Sequence, residues 1–140
     1  MSEQELIDAA KAPIVAYNEK DWNAVRMAVA PGFGYDEVGT QRKMDGVDAV
    51  IEGWRGWATA MPDSRATFEN ALVQGDSVIL EVTWRGTHTG SLQSPKGEIR
   101  ATGKTFEVRA CQVFTIESGK AKSMRHYFDM LTLLQQLGVS

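Results

Sequence analysis

Two hydrophobic periods meet at Pro62, and that junction constrains the fold of this 140-residue chain more than any other feature. Before it, apolar residues recur every three or four positions; after it, they alternate. Leu6, Ile7, Ala10, Ile14 and Tyr17 mark one side of a helix. Pro13 is expected to break that helix, because proline lacks a donor N–H and crowds the preceding turn. Asp21 has the position of an N-cap for a second helix over residues 22–29, which Pro31-Gly32 ends. A strand over 33–38 and a third helix over 47–60 follow.

Four strands are predicted beyond Pro62, over 65–74, 78–89, 105–117 and 120–129, with Gly75-Asp76 and Ser118-Gly119 as hairpin turns. The polar stretch from Gly90 to Gly103 reads as a hairpin tip, and a last helix over 130–137 stops at Gly138. Helices followed by an antiparallel meander make an α+β chain. We expect a single domain over 1–140, with a cone-shaped, curved antiparallel sheet and the N-terminal helices packed over its concave face.

A plain two-residue hairpin at Ser118-Gly119 pairs Gln112 with Arg125, Ala110 with Tyr127 and Val108 with Asp129. Because side chains alternate between faces, Arg125, Tyr127 and Asp129 then share the concave face with Phe106, Val108 and Phe114. Trp84 and His88 join them from the preceding strand. Trp54 and Trp57 cover the hollow, which has the character of a small-molecule pocket. In that register Cys111, Val113, Met124, His126 and Phe128 form an apolar patch on the outer face, from which a homodimer through the sheet backs is expected.

Charge and motifs exclude several classes. Fifteen Lys and Arg against 18 Asp and Glu leave a net charge of −3 with no basic cluster, so no nucleic-acid partner is expected. No stretch approaches the ~20 apolar residues needed to cross a bilayer, and the N-terminus lacks a basic leader, so no membrane partner and a cytoplasmic location are expected. One cysteine, Cys111, rules out an internal disulfide. Phosphate-binding loops, zinc-ligand spacings and nucleophile elbows are missing, so neither a metal nor a cofactor is expected.

Acid–base work by isolated groups in an apolar cup remains. Asp129 and His88 are the candidate catalytic residues. Arg125, Tyr127, Gln112, Trp54, Trp57, Trp84 and Tyr35 are the candidate substrate-binding residues. Two readings of Asp129 stand: a base whose pKa burial raises toward neutrality, or the N-cap of the last helix, where amide donors lower it.

Gly86-Thr87-His88-Thr89-Gly90, Gly119-Lys120 and the run Tyr127-Phe128-Asp129-Met130-Leu131-Thr132-Leu133-Leu134-Gln135-Gln136-Leu137-Gly138 resemble the SnoaL-like polyketide cyclases, or ester cyclases, of the nuclear transport factor 2-like superfamily. The resemblance implies a cone-shaped α+β barrel, a dimer and a cofactor-free intramolecular aldol condensation, with Asp129 in the place of the general acid–base. Tyr35 or Asp36 stands where family members often have a histidine. The expected function is therefore cyclisation or isomerisation of a small hydrophobic carbonyl compound. Water addition, with Asp36 or Glu69 as a second carboxylate beside Asp129, and a non-catalytic ligand-binding module are the alternatives.

Overall fold

The computed structural model describes residues 1–94 and 97–139. Among these, the chain forms α1 (Glu3–Asn18), α2 (Trp22–Ala28), β1 (Val29–Glu37), β2 (Arg42–Asp45), α3 (Val47–Ala60), β3 (Arg65–Gln74), β4 (Ser77–Thr87), β5 (Leu92–Ser94), β6 (Gly97–Ile99), β7 (Thr105–Glu117), β8 (Lys120–Phe128) and α4 (Met130–Gln136). This is the expected α+β architecture.

Helix α1 opens on a capping box between Ser2 and Glu5 and runs unbroken through Pro13, against expectation. An interior proline costs a helix about 3 kcal/mol. Burial of Ile14 and Tyr17 on the same face returns about 1.5–3 kcal/mol for each, so packing on the sheet outweighs the local preference.

The main sheet has the order β2-β1-β8-β7-β4-β3. It is mixed rather than wholly antiparallel, because β1 lies parallel to β8, with Tyr35 beside Met124 and Glu37 beside His126. That pairing joins the N-terminal third of the chain to its last strand. Leu92, buried in a second apolar cluster with Met61, Phe106 and Leu137, anchors the β5–β6 hairpin. Residues 95 and 96, within the stretch expected as a hairpin tip, lie outside the described residues.

The hairpin of β7 and β8 departs from expectation in one decisive way. It starts as predicted, Glu117 opposite Lys120 and Ile116 opposite Ala121, but Thr115 then faces Ser123. Lys122 is an extra residue, a β-bulge, and one extra residue turns every later side chain to the other face. Beyond it Met124, His126 and Phe128 point into the cone, while Arg125 and Tyr127 point out. The apolar outer patch therefore does not form: Cys111, Val113 and Tyr127 sit there among exposed Arg109, Lys122 and Arg125. No helix is long and apolar enough to cross a membrane, among the described residues.

Candidate functional site

A cavity lies between the concave sheet and helices α1, α3 and α4. It offers about 80 Å³ to the centres of water-sized molecules, where one water needs about 10–15 Å³ on that measure. Trp54 and Trp57 come from α3, Tyr17 from α1, Tyr35 and Glu37 from β1, Trp84 from β4, Phe106 and Val108 from β7, and His126 and Phe128 from β8. Edge-on ring contacts, such as Tyr17–Trp84 at 5.3 Å and Tyr35–Trp54 at 5.5 Å, hold the aromatic wall together.

Glu37 is fully buried, yet both carboxylate oxygens are saturated. Oε2 accepts from the Tyr35 hydroxyl at 3.0 Å and from Trp57 Nε1 at 2.8 Å. Oε1 accepts from Arg42 Nη2 at 2.8 Å, from Arg42 Nε at 3.1 Å and from the Thr40 hydroxyl. Burial pushes the Glu37 pKa upward, but Thr40, the Arg42 charge and its hydrogen bonds, and Trp57 overcome that and hold it below the usual value. Glu37 is therefore an ionised carboxylate at neutral pH.

Tyr35 connects this carboxylate to His126, whose Nδ1 lies 2.7 Å from the Tyr35 hydroxyl. Burial, followed by the Glu37 charge, raises the Tyr35 pKa well above 10. Desolvation takes His126 the other way, to about 4, with Glu37 opposing it, so the imidazole is neutral at pH 7.

The tautomer of that neutral ring follows from its neighbours. Trp84 Nε1, an obligate donor, is 3.2 Å from His126 Nε2, and the Gln112 amide nitrogen lies at 3.4 Å. Nε2 must accept, so the proton resides on Nδ1 and is donated to Tyr35. Tyr35, receiving there, gives its own proton to Glu37. Every bond in the series Trp84–His126–Tyr35–Glu37 thus points one way and ends on a negative charge. Such a series can accept a proton at His126 Nε2 and deliver one to Glu37 without creating a new buried charge.

The sequence-derived candidates divide between cavity and surface. Tyr35, Trp54, Trp57 and Trp84 line the cavity, and Gln112 lies beneath His126. Asp129, expected inside, is exposed outside the cavity and caps α4, accepting from Leu131 N at 3.0 Å and from the Thr132 hydroxyl at 2.7 Å. The Thr132 hydrogen bond and the backbone amides of Leu131 and Thr132 lower its pKa, so the N-cap reading describes its surroundings. Arg125 and Tyr127 also face outward, because of the Lys122 bulge.

His88 is fully buried but does not line the cavity; its Nδ1 accepts from the Thr102 amide at 3.2 Å. Glu69 is exposed and accepts from Thr83, and Asp36 sits beside Lys43 and Arg125 in the sheet, so neither carboxylate belongs to the cavity. The expectation for His126 is reversed, from outer face to cavity wall.

Sequence reasoning missed Glu37, His126 and the Tyr17–Ser64 pair. One signal for Glu37 was present: it shares strand parity with Phe33 and Tyr35, which places a carboxylate on the apolar side of that strand. Among the described residues, no group of three or more His, Cys, Asp or Glu side chains could hold a metal.

Comparison with known protein families matches residues 7–137 to the SnoaL-like polyketide cyclases. The chain belongs to that family. A search of curated proteins finds no match. Among solved structures, TsrD from Streptomyces laurentii is similar at 24% identity, covering 100% of this chain and 99% of TsrD, with a TM-score of 0.83. IdmH from Streptomyces antibioticus, described as a candidate polyketide cyclase, is also 24% identical, over 96% and 99% of the two chains, with a TM-score of 0.81. A Jannaschia sp. CCS1 protein described as a candidate SnoaL-like polyketide cyclase reaches 0.87 at 17% identity, over 100% and 97%. At these identities the structures establish the SnoaL-like fold and leave the chemistry to this chain's own cavity.

Proposed function

We propose that this SnoaL-like chain catalyses cofactor-free proton abstraction from a small enolisable carbonyl compound, leading to ring closure or isomerisation. The observation that carries the reading is the one-way series from His126 through Tyr35 to Glu37 inside an aromatic cavity. A proton leaves the carbon α to the substrate carbonyl and bonds to His126 Nε2. The Nδ1 proton of His126 passes to Tyr35, and the former Tyr35 hydroxyl proton passes to Glu37. The enolate gains the negative charge that Glu37 loses.

That exchange of charge selects the substrate. Glu37 is a stabilised, weakly basic carboxylate, so the C–H must be activated, as it is between two carbonyls. The indole N–H of Trp84, released when the substrate displaces it from Nε2, is a donor for the developing oxyanion. The aromatic wall excludes water and so protects the enolate until it attacks a second carbonyl.

Hydrogen–deuterium exchange of an aryl 1,3-diketone in D2O, followed by proton NMR, tests the reading. The wild type should accelerate exchange well above the buffer rate, and His126→Phe should return it to that rate. Binding of the diketone with no acceleration would instead support the ligand-binding alternative. A cytoplasmic setting and a homodimer remain compatible with this chemistry, though it needs neither.

A further inference from the structure

The cavity contains a second polar pair that the proton series does not use. The Tyr17 hydroxyl and Ser64 Oγ lie 2.6 Å apart, and both residues are 4% exposed. Both line the cavity. Two hydroxyls bring two protons, and a bond between them consumes one. Neither hydroxyl has another partner among the described residues, so whichever donates, the other O–H proton lacks a protein acceptor. A buried donor in that state costs free energy until an acceptor reaches it.

The surrounding structure holds the pair in place. Asn18 Nδ2 donates to the Ala66 carbonyl at 3.0 Å, and the Ala66 amide donates back to Asn18 Oδ1 at 2.8 Å. Lys20 donates to the Ser64 carbonyl at 2.5 Å and lies 4.3 Å over the Tyr17 ring. Residues 17, 18 and 20 thus clamp the segment 64–66 against the end of α1. Burial raises the Tyr17 pKa to about 12, with Ser64 opposing and the Glu37 charge adding to the rise, so the phenol keeps its proton.

We infer that Tyr17 and Ser64 form a donor subsite that takes a carbonyl oxygen of a neutral ring compound bound in the cavity. Trp84 touches both Tyr17, at 5.3 Å, and His126, at 6.0 Å, so a single indole separates this subsite from the proton acceptor. A ligand lying along Trp84 carries its anchored oxygen about one fused ring system away from the carbon that meets His126. This rests on the cavity being a ligand site, as proposed above, but not on His126 acting as a base.

Two isosteric probes isolate the subsite: 2-acetylnaphthalene and 2-isopropenylnaphthalene, which differ in carbonyl oxygen against methylene. Calorimetric titration should show the wild type binding the ketone about tenfold more tightly, the ratio that one net hydrogen bond of about 1.4 kcal/mol supplies. Either single variant, Tyr17→Phe or Ser64→Ala, should keep most of that preference, because the remaining hydroxyl regains a free proton. The double variant should reduce it to less than twofold. The preference is read by binding alone, with a ketone and an alkene and no proton transfer, which separates failure of this inference from failure of the proton series. In the wild type, the carbon-13 signal of the bound carbonyl should lie downfield of its position in cyclohexane. A carbonyl signal at the cyclohexane position, no preference in the wild type, or a full preference in the double variant each overturns the inference, and the first two need no variant to fold.

Discussion

Gln112 faces His126 across the β7–β8 pair, where an unbulged hairpin would have set it opposite Arg125. That single change of partner decides which titratable groups enter the cavity. It brings in a neutral imidazole beside Tyr35 and Glu37 and sends Arg125 and Tyr127 to solvent.

The bulge predicts that the Lys122 side chain matters little, since the residue has no partner in the β7–β8 ladder. Its ammonium makes an exposed ion pair with Glu117 at 2.9 Å. Lys122→Ala should therefore cost less than about 0.5 kcal/mol in urea unfolding, since exposed pairs contribute little. Deleting Lys122 removes the extra residue but leaves Thr115 opposite Ser123 and Gln112 opposite His126, so Met124, His126 and Phe128 should keep facing the cavity and unfolding should stay cooperative. A deletion variant that loses cooperative unfolding would contradict this.

His126 sets an acid limit on stability. Its pKa falls from 6.5 in the unfolded chain to about 4 in the folded one, so the unfolded state takes up this proton first as the pH drops. The stability is fully present above pH 6.5 and declines as the pH falls toward 4, by about 3 kcal/mol in all. Replacing His126 with Gln should flatten the pH dependence of urea unfolding in that window. An equal slope in wild type and variant would assign the effect elsewhere.

Arg42 is the counter-ion of Glu37, but its side chain is 41% exposed while that of Glu37 is 0% exposed. Removing one partner of a fully buried pair costs about 3–5 kcal/mol; solvent around Arg42 reduces this, and Arg42→Met should cost about 2 kcal/mol. The same variant should raise the Glu37 pKa, observable in the carboxyl carbon-13 signal. A Glu37 pKa unchanged by Arg42→Met would contradict the electrostatic role given to the arginine.

Asp129 is assigned to the α4 cap. Asp129→Ala, which removes the acceptor for Leu131 N and Thr132, should lower Tm by a few degrees, whereas Asp129→Asn, which keeps a cap oxygen, should nearly preserve it. Thermal melts of the two variants, compared with wild type, check this. Equal losses in both would point to a need for the charge itself.

The alternating run after Pro62 and the helical run before it made the α+β class legible, because both periods follow from burying one face. Trp54, Trp57 and Trp84 were placed correctly for the same reason. Three things escaped. Pro13 stayed within α1 because sheet packing outweighed a local cost. The parallel β1–β8 pairing leaves no turn signal, since its strands lie far apart in the chain. The extra residue Lys122 differs in no chemical respect from an ordinary exposed strand lysine, so the parity that governs Asp129, Tyr127 and His126 could not be read from the residues alone.

In the chemistry proposed for this chain, the proton series ending on Glu37, and not the carboxyl of Asp129, moves the proton. The most direct test measures deuterium exchange of the aryl 1,3-diketone for Glu37→Gln and Asp129→Asn beside the wild type, with Tm recorded for each. The predicted result is loss of at least about 100-fold for Glu37→Gln, as removal of acid–base assistance gives, with Asp129→Asn close to wild type. Loss of exchange in a folded Asp129→Asn variant, with Glu37→Gln still active, would contradict it.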